Sequence, residues 1–290
     1  MVDLHLPWVR PLPRCCRTHF DDLVSVIRVA EPVTVDDLGP GDHACLTFTD
    51  PDERLDIVAA FVRDGLERGD KVLCLTDALT PDELEGVLVE RGITPQEPLA
   101  RGQLEVTTSA AAFVSSGAFD AERVIAALGR HMAEAQSAGY PGLRVTADMC
   151  WALRPVAGLE QLVEYESRFT RLLAGSGATA VCQYDRQCFD AVTLAGVSAA
   201  HSHAVAAVTY HHDPVLRICR QHIPPGVRLA GELDYRALEP LQNALGEAVR
   251  LDPHVFLNMT QLRFIDVAAA GAIVQTALGL GNGGRMTAVA

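Results

Sequence analysis

Lys71-Val72-Leu73-Cys74-Leu75-Thr76 and, further along, Thr179-Ala180-Val181-Cys182-Gln183 decide the fold. Each is an uninterrupted apolar run too short for a helix, the pattern of a strand buried on both faces. Working outward, Asp50-Pro51-Asp52 reads as a helix N-cap with proline in the first turn. Leu55, Val58, Ala59, Val62 and Leu66 follow at helical spacing, and Gly69 stops the helix before the first strand. After that strand, Asp77, Thr80, Pro81 and Asp82 open a helix to Arg91, closed by Gly92. His43–Phe48, Leu104–Thr107 and Leu143–Thr146 read as further strands. Asp120 caps a helix to Ser137, and Leu159–Leu173 forms another. Strands alternating with helices imply an α/β domain with a mostly parallel sheet covered by helices on both faces.

A second, smaller α/β unit follows. Val215–Arg220 and Val227–Ala230 read as strands, and Asp234 begins a helix with Leu238, Leu241, Leu245 and Val249 inward. His254–Asn258 is a strand, Asp266 opens an Ala/Gly-rich helix, and Arg285–Val289 starts a last strand. The expected division is a loosely ordered leader over 1–35, a first domain over 36–203, a linker over 204–214 and a second domain over 215–290.

Composition excludes several functions. The formal net charge is −13, which argues against direct nucleic-acid binding or an anionic membrane surface. Residues 215–290 hold seven arginines against six carboxylates, so the negative charge lies on residues 1–214. The single lysine, Lys71, has neither the spacing nor the following hydroxyl of a phosphate-binding loop. No secretory signal and no apolar run of membrane-spanning length is visible. Eight scattered cysteines read as reduced thiols, consistent with a cytoplasmic location.

Gly231-Glu232-Leu233-Asp234, an amphipathic helix, Val255–Met259 and Leu262-Arg263-Phe264-Ile265-Asp266 before a small-residue helix resemble the STAS domain of bacterial anti-sigma-factor antagonists. The resemblance implies that Asp234, Asp266, Val267 and Ala268 lie on a partner-binding surface. In that family a serine directly after the aspartate is phosphorylated. Here Val267 stands in its place, and no hydroxyl follows until Thr276, so the usual phosphoacceptor is missing. A full domain of this family is expected to continue through another helix.

The first unit resembles the MEDS sensory domain, which is related to RecA-like ATPases but lacks their phosphate-binding loop. The resemblance is carried by Gly41–Cys45, Gly65-Leu66 with Lys71–Leu73, Gly139–Thr146, Met149 with Trp151, Tyr165-Glu166 and Cys182–Asp185. The family usually has Glu where this chain has Asp148. It implies a RecA-like fold and a sensor of small organic molecules.

His43 and Cys45 share one face of a strand and are candidate ligand or metal contacts beside Asp148, or else core residues. Asp148 and Trp151 follow a strand directly. They offer a carboxylate beside an aromatic plate for a small ligand, or a helix cap with a packed indole. Tyr184 and Asp185 end a strand at the same sheet edge, where Asp185 equally suits a helix cap. Glu166 reads as one partner of an intrahelical pair. Cys219-x-x-His222 and His201-x-His203 lack the spacing of a zinc site, so no metal is expected. Gly279–Gly284 follows a helix and reads as a turn.

No nucleophile–base motif is visible, so catalysis and cofactors are not expected. The expected function is a cytoplasmic signalling regulator. Its sensory domain controls a STAS domain that binds an anti-sigma factor or a serine-kinase switch protein. The alternatives are a RecA-like enzyme using nucleotide without a phosphate-binding loop, or a non-catalytic STAS scaffold.

Overall fold

The computed structural model describes residues 31–290 apart from Asn282. The two apolar runs are interior strands of its larger sheet, with one strand between them. The first sheet has seven strands: β1 (Glu31–Val33), β2 (His43–Phe48), β3 (Lys71–Thr76), β4 (Leu104–Thr108), β5 (Leu143–Asp148), β6 (Ala178–Asp185) and β7 (His203–Val205). Their order is β1-β7-β2-β6-β5-β3-β4, and every pairing is parallel. Six helices connect them: α1 (Pro51–Arg68), α2 (Pro81–Glu90), α3 (Gln96–Ala100), α4 (Ser109–Phe113), α5 (Ala121–Ser137) and α6 (Leu162–Leu173); α7 (Ala191–Ala200) leads into β7. Separate apolar layers cover the two faces of this sheet, one under α1 and α2, the other under α5, α6 and α7. Of the leader expected over 1–35, residues 1–30 lie outside the described residues. Glu31–Val33, expected in that leader, is instead an edge strand paired with β7.

Local chemistry explains the helix starts. The Asp50 carboxylate accepts from the Asp52 and Glu53 amides, Thr80 and Glu83 form a capping box, and Asp120 accepts from the Arg123 amide. Gly65 has a packing reason: a Cβ there would run into the Arg144 side chain. Arg144 is buried on β5 with Asp64 at 2.6 Å and Asp70 at 3.4 Å.

The second sheet has the order β12-β11-β10-β9-β8, built from β8 (Thr209–His212), β9 (Leu216–Gln221), β10 (Gly226–Leu233), β11 (His254–Ile265) and β12 (Arg285–Val289). β8, β9 and β10 pair antiparallel, and β10, β11 and β12 pair parallel. One face packs on α8 (Leu238–Leu251) and α9 (Val267–Leu278). The expected linker over 204–214 is taken up by sheet pairing. Ala204 and Val205 belong to the first sheet and Thr209–His212 to the second, because each stretch finds backbone partners there. At Gly231 φ is +107°, and a Cβ would fall on the Val215 carbonyl oxygen. Gly231→Ala is therefore expected to lower unfolding stability by about 2 kcal/mol in urea titrations.

The other face of the second sheet rests on α1. Strand alternation divides the side chains: Leu216, Ile218, Val227 and Leu229 enter the second core, while Arg217, Cys219, Gln221 and Arg228 face α1. Arg217 grips Glu53 with two hydrogen bonds of 2.6 and 2.7 Å, and Arg228 reaches Asp50 at 2.7 Å and also Asp52. Buried Asp56 accepts from the His222 amide at 2.7 Å and the Ile223 amide at 2.8 Å. The acidic first domain thus presents its carboxylates to arginines of the near-neutral second one.

Candidate functional site

β2, flanked by β7 and β6, carries His43 into the layer beneath α6 and α7. Cys45 pairs with Cys182 of β6, so both thiols share the His43 face. α6 adds Glu166 from its inner stripe beside Tyr165 and Phe169, and the turn after α7 adds His201. His43, Glu166, Cys182 and Tyr184 are essentially inaccessible, and His201 is only 5% exposed. Glu166 is not an intrahelical ion-pair partner. Its Oε1 accepts from the Tyr184 hydroxyl, and its Oε2 lies 3.4 Å from His43 Nε2 and 3.6 Å from His201 Nε2.

Burial sets the protonation of this cluster. It raises Glu166 to about 8, with hydrogen bonds from Tyr184 and Cys182 opposing only part of the rise. It lowers His201 to about 4 and His43 well below its ordinary value. The thiols of Cys45, at about 12, and of Cys182 are pushed up by burial and then by Glu166. Such thiols stay protonated at neutral pH and are poor nucleophiles. What the cluster offers is a set of inward-facing lone pairs.

Of the sequence candidates, the structure brings His43, Cys45 and Tyr184 together and leaves Asp148, Trp151 and Asp185 apart. Asp148 pairs across the sheet with Gln183, one residue out of step with Cys182, so its side chain emerges on the opposite face. There it binds Arg54 at 2.8 Å and the Ala78 and Cys150 amides, each at 3.0 Å. The cavity beside it holds about 10 Å³, too little for an organic ligand. Trp151 stacks on Phe113 at 4.9 Å in an aromatic core and is no open plate. Asp185 accepts from the Gln187 amide in a turn, and the helix cap falls to Asp190 instead.

The histidine pattern resolves into separate environments. His203 meets Asp42, His211 meets Asp213 and His222 meets Asp36. Cys219 turns toward Glu53. The expectation of no metal site rested on local spacing. Tertiary structure instead gathers His43, Glu166, Cys182 and His201, with their ligand-type atoms all within 4.8 Å of one another.

A second surface lies at the N-terminus of α9. Asp266 caps the helix through the Ala269 amide at 2.8 Å and also accepts from the Tyr235 amide at 2.9 Å. Asp234 beside it pairs with Arg236. Val267 is 90% exposed, and Tyr235, Phe264 and Leu278 are further exposed apolar residues of the same unit.

One parallel sheet covered by helices on both faces, with a buried polar cluster on one of them, is joined to a small mixed-sheet domain with an exposed helix N-terminus, giving a two-domain α/β architecture. Residues 42–202 match the family described as MEDS, the methanogen/methylotroph, DcmR sensory domain, and residues 220–289 match the STAS domain. The chain belongs to the MEDS family and carries a STAS domain after it. It is 26% identical over 165 residues to the transcriptional repressor DcmR of Methylorubrum extorquens (strain DSM 6343 / CIP 106787 / DM4), an alignment covering 53% of this chain and 55% of that protein. The alignment thus spans about half the length of that curated relative. A KaiC-like protein, PH0186 from Pyrococcus horikoshii OT3, overlays 70% of this chain and 86% of its own with a TM-score of 0.47 and 13% identity. The two domains and the repressor relative together support a signalling and regulatory role. No helix among the described residues is long and apolar enough to cross a membrane.

Proposed function

We propose that the chain is a non-catalytic signalling regulator whose MEDS domain controls the partner-binding surface of its STAS domain. The observation that carries this reading is the contact between α1 and the back of the STAS sheet. β10 leaves that contact at Arg228 and ends at Leu233, whose carbonyl accepts from the Asp266 amide. A shift of α1 therefore has a continuous backbone route to Asp234, Asp266, Val267 and Ala268. The partner is an anti-sigma factor or a serine-kinase switch protein, and the regulation is indirect, without nucleic-acid contact. A small organic molecule is the expected input. Control by the MEDS domain replaces phosphorylation, since Val267 has no oxygen to accept phosphate.

The nucleotide alternative is disfavoured by electrostatics. A helix N-terminus after a central strand is where phosphate binds, yet α1 begins with Asp50, Asp52 and Glu53, and its nearest arginines are already paired. Calorimetric titration with Mg-ATP is expected to give no specific heat; saturable binding would favour the enzyme reading. For the main reading, tagged full-length chain is incubated with host extract and the bound proteins are identified by mass spectrometry. The expected result is recovery of an anti-sigma factor or switch kinase with wild type and its loss with Val267→Asp. Recovery unchanged by that substitution, or partner loss caused by phosphate on Thr260 or Thr276, would overturn it.

A further inference from the structure

We propose that His43, Glu166, Cys182 and His201 form a closed, four-coordinate zinc site inside the MEDS domain. Four of the six donor separations fit, and the other two, from His201 Nε2 to His43 Nε2 and to Cys182 Sγ, are within 4.8 Å. Zinc bonds of 2.0–2.3 Å in a tetrahedron place ligand atoms about 3.3–3.8 Å apart. His43 Nε2 is 3.3 Å from Cys182 Sγ and 3.4 Å from Glu166 Oε2. Glu166 Oε2 is 3.6 Å from His201 Nε2 and 3.7 Å from Cys182 Sγ. Four ligands from β2, α6, β6 and the α7–β7 turn thus surround one point.

Proton accounting gives a second, independent reason. The Thr170 hydroxyl donates to the Ala200 carbonyl at 2.7 Å, so at 2.8 Å from His43 Nδ1 it accepts, and Nδ1 carries the ring proton. The Val197 carbonyl accepts only, so His201 Nδ1, 2.7 Å away, is protonated too. Both Nε2 atoms therefore aim bare lone pairs inward. His201 Nε2 has no hydrogen-bond partner in a fully buried side chain, and an orphaned buried acceptor is costly. Nδ1 bonded outward with Nε2 directed inward is the arrangement that holds a histidine on a metal.

The charges also close. Zinc(II) with two neutral imidazoles, one thiolate and one carboxylate is net neutral, which suits a fully buried site. Binding forms four bonds to the ion, breaks the Cys182 S–H bond and releases its proton to solvent, together with any proton on Glu166. The nitrogen and sulfur donors select against magnesium and calcium, which take oxygen. With four protein ligands and no open position, the ion ties α6 and the end of α7 to the sheet; it is not positioned for chemistry.

The test uses the full-length chain, stripped with a chelator under reducing conditions and titrated with Zn²⁺ against a chromophoric competitor, and in parallel with Co²⁺. Expected are one ion per chain and a cobalt spectrum with a thiolate charge-transfer band. Cys182→Ser and His201→Gln abolish these, while His211→Gln, at a half-buried histidine outside the cluster, leaves them intact. Thr170→Val, which removes only the outward partner of His43, weakens binding about 10–100-fold with circular dichroism unchanged. A folded wild type that takes up no ion, or cobalt without the thiolate band, would overturn the assignment. So would loading that survives both ligand substitutions or is lost in His211→Gln. The cobalt spectrum of wild type decides the matter even where a variant fails to fold.

Discussion

Asp148→Ala is expected to lower the unfolding free energy by about 3–5 kcal/mol, measured by urea denaturation with an unchanged m-value. The carboxylate is 2% exposed and sits 2.8 Å from Arg54, itself 5% exposed. Removing it leaves a buried guanidinium without its partner, the costly way to break such a pair. The Ala78 and Cys150 amides lose their acceptor at the same time. Replacing both charges, as Asp148→Ala with Arg54→Met, should recover part of the loss, because an apolar pair carries no desolvation penalty. A single-variant effect below about 1 kcal/mol would mean that Arg54 finds another acceptor.

The same residue has a pH signature with a definite sign. Burial alone would push Asp148 up, but the Arg54 guanidinium and the two amides overcome it and hold the carboxyl below its ordinary value. Its contribution is therefore full above the unfolded-chain value of about 3.9 and is lost as pH falls through the lower folded value. Wild type should lose stability on that acid limb, and Asp148→Asn should not show this component.

Asp56→Ala is the second large effect, about 2–6 kcal/mol by the same titration. It orphans two buried amides, those of His222 and Ile223, at about 1–3 kcal/mol each. It also breaks the contact between α1 and the STAS sheet, so proteolysis should open the chain near residues 206–226. Asp56→Asn keeps one carbonyl oxygen and should cost less. Here the pH sign is opposite. Burial raises the Asp56 carboxyl despite nearby His222, so its stabilisation is greatest below about 3.9 and diminishes as pH rises through the folded value.

Much of the fold was legible because the alternation of apolar strands and capped helices is locally encoded. Asp50, Thr80 and Asp120 cap where their side chains suggest, and the KVLCLT and TAVCQ runs are interior strands. α7 was not legible. Ala191–Ala200 is small and apolar on nearly every side, so it lacks the polar face that gives a helix its period. The three-residue strands β1 and β7 are too short to carry alternation and exist through their pairing.

The site was half legible for a related reason. His43 and Cys45 could be placed on one face by strand parity, but bringing Tyr184 to that face and sending Asp148 to the opposite one needs the registers of β6 with β2 and with β5. Glu166 and His201 were passed over because their partners are distant in sequence and meet through sheet order. One signal was present: Glu166 stands on the inner stripe of α6 among Leu162, Tyr165, Phe169 and Leu173, and a carboxylate in that position needs a partner.

The central claim is that the MEDS domain acts on the STAS partner surface through α1, and hydrogen exchange on the full chain tests it most directly. Wild type and Asp56→Asn are compared by mass spectrometry at matched stability. The account predicts faster exchange at His222 and Ile223 and also, remotely, across Leu233–Ala269, where β10 meets the Asp266 turn. Exchange that changes only around residues 220–226, with Leu233–Ala269 untouched, would contradict it and leave the two domains as neighbours without a functional connection.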